Sequence, residues 1–375
     1  MDNILKEYQF KIDNERPSSF INSNGVWQDG TTPVCRDKNG KLWAISGHSH
    51  VGNIAMFFGT NMSNLTKLYD IKTDFEVGKA GAAFNGIKYP EGVESRGSVW
   101  PFGLYICPVT NRFFVFFHNE TGWAGKGTAY DATGLCDTPY LDSDFRHIGL
   151  MHSDDEGRNW KFDRWVLSSE TVCFSEKYNP NNDITIGQKY PNICLGSGDF
   201  SIYIEEKGDF IYLFYNMLFI NMDKPLVDRI DVYVARCRKR YDGVMGDFVK
   251  YYNGKFQESG IFGKETAIVK NSWHPKVVKL NDLGIYMMSS SKKANNNTSS
   301  DRLIDHQIQL RVSKDLIHWS KPLNIKKDNK SFGDHYCAFY AFDDKDCYEI
   351  NGNKFVLQLN GNGTDVIQYD VELVK

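Results

Sequence analysis

Long hydrophobic runs are missing from this chain. The longest, residues 210–220, is interrupted by Asn216 and falls short of the ~18 apolar residues that a membrane-spanning helix needs. Neither sign of charge dominates: 44 Lys and Arg face 47 Asp and Glu, a net charge of −3, so there is no clustered basic surplus of the kind that binds nucleic acid. The 3.6-residue period of a long amphipathic helix is absent. The eight cysteines form no C-x-x-C pair and no zinc-ligand spacing, and several sit in apolar runs, as in Leu104-Tyr105-Ile106-Cys107, which reads as buried reduced thiol. The opening residues, Met1-Asp2-Asn3-Ile4-Leu5-Lys6-Glu7, hold no apolar core of a secretory signal. Together these absences predict a soluble, cytoplasmic protein with neither a membrane nor a nucleic acid as partner.

What is abundant is aromatic: 25 Phe, 20 Tyr and 8 Trp in 375 residues, a composition that fills a globular core. These residues fall in short runs led by turn residues. Leu42-Trp43-Ala44-Ile45 follows Asp37-Lys38-Asn39-Gly40, and Phe113-Phe114-Val115-Phe116-Phe117 follows Val109-Thr110-Asn111. Ile211-Tyr212-Leu213-Phe214 follows Lys207-Gly208-Asp209. Ile285-Tyr286-Met287-Met288 and Phe355-Val356-Leu357 complete the set. Each has a strand-like partner before it, so each reads as a β-hairpin. Five such units along one chain predict a radial repeat forming a single domain, residues 1–375.

Two of the turns carry a recognisable pattern. Ser153-Asp154-Asp155-Glu156-Gly157-Arg158-Asn159-Trp160 is a full Asp-box, in which short polar side chains bond the turn backbone while a Trp packs beneath it. Ser313-Lys314-Asp315-Leu316-Ile317-His318-Trp319 is a shorter form without the glycine. Turn chemistry assigns Asp155 and Asp315 to structure rather than to a site.

The box, its variant and the five hairpins resemble the five-bladed β-propeller glycosidases of the arabinanase/β-fructosidase superfamily. Within it, the family 43-like and the family 117-like, anhydrogalactosidase-like branches are nearest. The resemblance implies an all-β, five-bladed β-propeller whose first strands line a central axis. Five segments qualify as strand starts at one mouth: Trp27-Gln28-Asp29-Gly30, Arg96-Gly97-Ser98-Val99-Trp100, Ser197-Gly198-Asp199-Phe200, Asn271-Ser272-Trp273-His274-Pro275 and Gly333-Asp334-His335-Tyr336. Carboxylates with aromatic walls suit a sugar, whose hydroxyls bond the acids and whose C–H face stacks on a ring.

The resemblance further implies an exo-acting, inverting glycosidase with Asp29 as general base and Asp199 as a second carboxylate that tunes the acid and holds the sugar. The fourth position departs from the arabinanase-like pattern: His274 stands where a Glu usually precedes Pro. An imidazolium raised by neighbouring carboxylates is one candidate acid; Glu120, closing the run Phe116-Phe117-His118-Asn119, is the other. Trp27, Arg96, Trp100, Trp273, Asp334 and His335 are the expected carbohydrate-binding residues. No cofactor is expected, and the metal option is confined to an ion held by His335 or Asp334. A sialidase would need a cluster of arginines, for which Arg36, Arg96, Arg236 and Arg311 are available; a non-catalytic carbohydrate-binding propeller is the alternative outside enzymes. The stretches 122–144 and 170–194 are expected to wall a cleft, and 292–301 to form a surface loop.

Overall fold

The computed structural model describes residues 2–47, 53–73, 98–120, 146–169, 192–221, 226–293, 306–342, 347–361 and 365–375. The fold is all-β. Helix is confined, among these residues, to short pieces such as Ile4–Glu7 and Ser19–Asn22. Five free, buried thiols (Cys35, Cys107, Cys237, Cys337, Cys347) lie among the described residues.

The chain folds as successive antiparallel meanders. The first joins Val34–Arg36, Leu42–Ser46, Ala55–Gly59 and Thr66–Asp70 in order. A ten-stranded sheet follows. It consists of two meanders, one opening on Ser98–Ile106 and the other on Asn192–Ile204, linked by a single parallel bridge between Gly196 and Arg146, with the short strand Lys72–Thr73 added parallel to Asn159–Leu167. The next meander opens on Trp273–Leu280 and the last on Tyr336–Ala341. That last sheet takes its outermost strand from the other end of the chain: Gln9–Pro17 pairs antiparallel with Val366–Val374, Phe10 opposite Leu373.

The opening strands of consecutive meanders pack on one another. The circuit returns to its start through side chains: the Tyr340 hydroxyl donates to the Thr32 carbonyl and the Tyr348 hydroxyl to the Val34 carbonyl, both at 2.8 Å. Phe113, Phe114, Phe116 and Phe117 are all buried although they alternate sides along one strand. A strand apolar on both faces is covered on both faces, so neighbouring sheets stack face to face. Such packing needs tight turns. The 153–160 turn is closed by its own side chains: Ser153 donates to Asp155 at 2.7 Å, the Asn159 amide donates to Asp155 at 2.9 Å, and Trp160 Nε1 donates to the Gly157 carbonyl at 2.7 Å. The 313–319 turn repeats this with Asp315 and Trp319, but Leu316, at φ 67°, takes the left-handed position.

Candidate active site

Three of the five opening strands are irregular near their starts. Register breaks fall between Pro101 and Gly103, between Gly198 and Ser201, and between Trp273 and Lys276. A bulge bends the strand and re-aims a side chain, and here two bulged residues, Asp199 (φ 44°) and His274 (φ 53°), hold left-handed backbone without being glycine. Such positions cost on the order of 1–2 kcal/mol each and concentrate at functional sites. Glycines beside the two aspartates admit aromatic rings at van der Waals range. A Cβ on Gly30 would lie 2.2 Å from the Phe102 ring, and one on Gly198 would lie 2.4 Å from the His118 ring.

These distortions converge. Tyr336 donates its hydroxyl to Asp29 Oδ1 at 2.8 Å, and its ring lies against His274, 4.0 Å between centroids. His274 Nε2 lies 4.0 Å from Asp199 Oδ2, which is ion-paired to Arg146 at 3.1 Å. Asp29 and Asp199 are therefore joined through one Tyr336–His274 contact. Burial, then the charges of Asp29 and of Asp199, push the Tyr336 hydroxyl well above its ordinary range, so it remains a donor to Asp29. The other face of Asp199 is fixed by its backbone amide, which donates to His118 Nδ1 at 3.1 Å.

His274 is 3% exposed, and burial pushes its imidazole well below the usual histidine range, against the opposing effect of its bond to the His335 carbonyl. That carbonyl, 2.8 Å from Nδ1, can only accept, so Nδ1 carries the proton and Nε2 presents a lone pair toward Asp199. The imidazolium expected from neighbouring carboxylates is not the form this environment favours: desolvation of a fully enclosed ring outweighs one carboxylate at 4.0 Å whose charge Arg146 already shares. Two residues further along the strand, Lys276 is buried between the rings of Tyr340 and Tyr348, its Nζ 5.4 and 4.5 Å from their centroids, and burial pushes it down to about 7.

The remaining expected residues divide. Trp273 is half-buried and stacks on His274 at 4.7 Å, and His335 meets both rings, at 5.0 and 4.3 Å. Trp27 is half-buried on the segment leading to Asp29. Asp334 accepts from the His335 amide at 2.7 Å, and burial raises its carboxyl. Trp100 is a correction: it is 1% exposed, edge-on to His118 at 5.0 Å, and supports that ring from behind instead of offering a face to a ligand. The Glu120 backbone closes its strand opposite Arg146. Arg96 and most of 122–144, 170–194 and 292–301 lie outside the described residues. The described arginines weighed for a carboxylate-binding cluster are apart: Arg36 donates to the Gly40 and Thr60 carbonyls, Arg236 lies over Phe210 and Phe256, and Arg311 donates to Ser272 and Ser290. No group of three or more potential metal ligands occurs among the described residues.

Sequence reasoning missed Tyr336, Arg146, His118 and Asn216. Asn216 accepts from the His274 amide at 2.8 Å and donates to the Asp231 and Ser272 carbonyls, holding the bulge in place. Its signal was visible as the single polar residue inside an apolar run, and a buried amide needs partners. His118 carried the same signal after Phe116-Phe117.

No family model and no curated protein match the sequence. Among solved structures, the fold is shared with a candidate exo-beta-1,3-galactanase from Bifidobacterium bifidum s17: TM-score 0.50, 14% identity, 96% of each chain covered. An alpha-L-arabinofuranosidase from Lactobacillus brevis aligns at TM-score 0.47 and 13% identity over 96% of this chain and 94% of that one. A thermostable family-43 glycoside hydrolase aligns at 0.45 and 13%, over 93% and 89%.

Proposed function

We propose that this protein is a glycoside hydrolase, exo-acting and inverting, which releases a terminal sugar from an oligo- or polysaccharide. Its meanders are read as the five blades of one β-propeller domain, and its buried thiols suit a reducing, cytoplasmic setting. The observation that carries the reading is the convergence of Asp29 and Asp199 on one Tyr336–His274 stack. The shared fold with a candidate exo-beta-1,3-galactanase supports the same class.

In the proposed mechanism Asp29 takes a proton from water attacking the anomeric carbon, and the Tyr336 hydroxyl donates to that carboxylate and orients it. Asp199, fixed by Arg146, binds sugar hydroxyls and sets the local charge. A neutral His274, with a lone pair at Nε2, suits a hydroxyl acceptor better than an acid. The proton for the leaving oxygen is therefore assigned to Glu120, whose backbone runs beside Arg146.

Hydrolysis of a panel of aryl glycosides and β-1,3-galacto- and arabino-oligosaccharides tests the reaction, with NMR of the first-formed anomer testing inversion. A folded protein that binds these sugars and cleaves none is a binding module. Leaving-group dependence tests the acid. Glu120→Gln should slow poor leaving groups strongly and activated phenols little, because an acidic phenol departs without a proton. His274→Ala should raise KM for both. The reverse pattern moves the acid to His274.

A further inference from the structure

The bulge that carries His274 has a buried cation behind it. Asn271 and His274 both hold left-handed backbone, at φ 51° and 53°, so two of four consecutive residues sit where residues other than glycine seldom settle. Their surroundings hold this shape. The Asn271 amide donates to Asp231 Oδ1 at 3.1 Å and the Ser272 amide to the Ile230 carbonyl at 3.0 Å. The Ser272 carbonyl accepts from Asn216 at 3.0 Å. The Ser272 hydroxyl donates to Ser290 Oγ at 2.7 Å and accepts from Arg311 at 3.2 Å. Ser272 is thus held through its amide, its carbonyl and its side chain.

Arg311 is the unusual member of this group. It lies on the strand His306–Ser313, is 6% exposed, and donates to three neutral acceptors: Ser272, Ser290 at 3.1 Å and Gln309 Oε1 at 3.1 Å. Burial pushes its guanidinium down to about 10, and no carboxylate among the described residues acts against that. It still carries its charge at neutral pH. An enclosed cation without a carboxylate is a poor device for stability, because an apolar side chain of similar volume avoids the desolvation cost. What a guanidinium offers is geometry, a rigid planar fork that fixes several acceptors at once. These acceptors lead to the site. Trp273 follows Ser272 in the chain and stacks on His274 at 4.7 Å, and the Trp273 carbonyl accepts from Ser291 at 3.4 Å.

We propose that Arg311 is a positioning residue of the candidate active site: through the Ser272 hydroxyl it fixes residues 271–274, and with them the angle at which Trp273 and His274 meet a sugar. The proposal rests on the reading of those two rings as sugar-binding residues. Arg311 acts only through Ser272 and its neighbours, so its removal alters how a sugar is held before it alters the chemical step.

Two readouts on the full chain test it. The first is fluorine NMR of protein labelled with fluorotryptophan, its Trp273 signal assigned by Trp273→Phe. Arg311→Met and Ser272→Ala should each shift or broaden that signal and leave those of Trp43 and Trp160, assigned in the same way, in place. The second is kinetic. Each substitution should raise KM for the best glycoside by about 10-fold and leave kcat within about 2-fold. The two together should do no more than either alone, because both cut one connection. Arg311→Lys should not restore KM, since one ammonium cannot hold three acceptors in a plane. Ser272→Ala removes a single oxygen and keeps the test open if Arg311→Met does not fold. An unmoved Trp273 signal in folded variants, additive effects on KM, a fall in kcat at unchanged KM, or full rescue by Arg311→Lys overturns the proposal. A moved signal in a protein that cleaves no glycoside upholds the positioning role and counts against the hydrolase reading alone.

Discussion

Two kinds of aspartate occupy this fold, and they differ in how far their partners lie along the chain. Asp155 and Asp315 bond groups within four residues of themselves: Ser153 and Asn159 for one, Ser313 and His318 for the other. Asp199 is held by Arg146, 53 residues away, and Asp29 by Tyr336, 307 residues away. The first kind closes a turn whatever the rest of the chain does. The second exists only once distant strands meet. In these four, the local aspartates staple turns and the remote ones stand in the candidate site.

That distinction can be broken by substitution. The largest effect is expected at Asp29: Asp29→Asn should lower kcat by about 100-fold or more with an unchanged melting temperature, because shape is kept and the acceptor removed. A folded variant with full activity would return Asp29 to the turn-forming class. Arg146→Met comes next. It leaves Asp199 enclosed and without its cation, which typically costs about 3–5 kcal/mol, and thermal denaturation should show this together with loss of activity. Asp155→Ala should cost only about 1–2 kcal/mol, measured by denaturant unfolding, with kcat/KM unaffected. An activity loss there would mean that the turn reaches the site.

Lys276 sharpens the comparison, as a charged group enclosed among rings instead of carboxylates. Its folded value of about 7 lies below the ordinary lysine range. Between these limits the unfolded chain binds more protons than the folded one, so this group makes stability rise as pH increases from about 7 toward 10. Below pH 7 both states are protonated and the full burial cost is present. Lys276→Met should melt higher than wild type at pH 6, and the difference should shrink by pH 9. A difference independent of pH would mean that the ammonium is compensated by a neighbour.

The same division explains what was legible before the structure. The hairpins and both Trp-bearing turns were readable because their determinants are local: Gly40 at φ 77° behind Asp37, or Gly157 at φ 87° behind Asp155. Asp29, Asp199 and His274 stand out in the sequence only through their shared offset before apolar strands, not by any feature of their own. Tyr336 and Arg146 escaped because neither has a neighbour in sequence that marks it; their roles follow from partners on distant strands. Trp100 was misjudged for the complementary reason. A Trp at a strand start reads alike whether it faces a ligand or, as here, backs onto His118.

The pairing of Gln9–Pro17 with Val366–Val374 has a consequence for biosynthesis. Gln9–Pro17 leaves the ribosome about 350 residues ahead of the strand that it pairs with. At ~5–20 residues per second it waits on the order of 20–70 seconds with its backbone edge unpaired and open to other chains. Such a long-range contact also slows the final folding step. Over-expression should therefore be limited by the lifetime of this waiting edge, and slower growth or chaperone supply should raise the soluble yield without any change in the native structure.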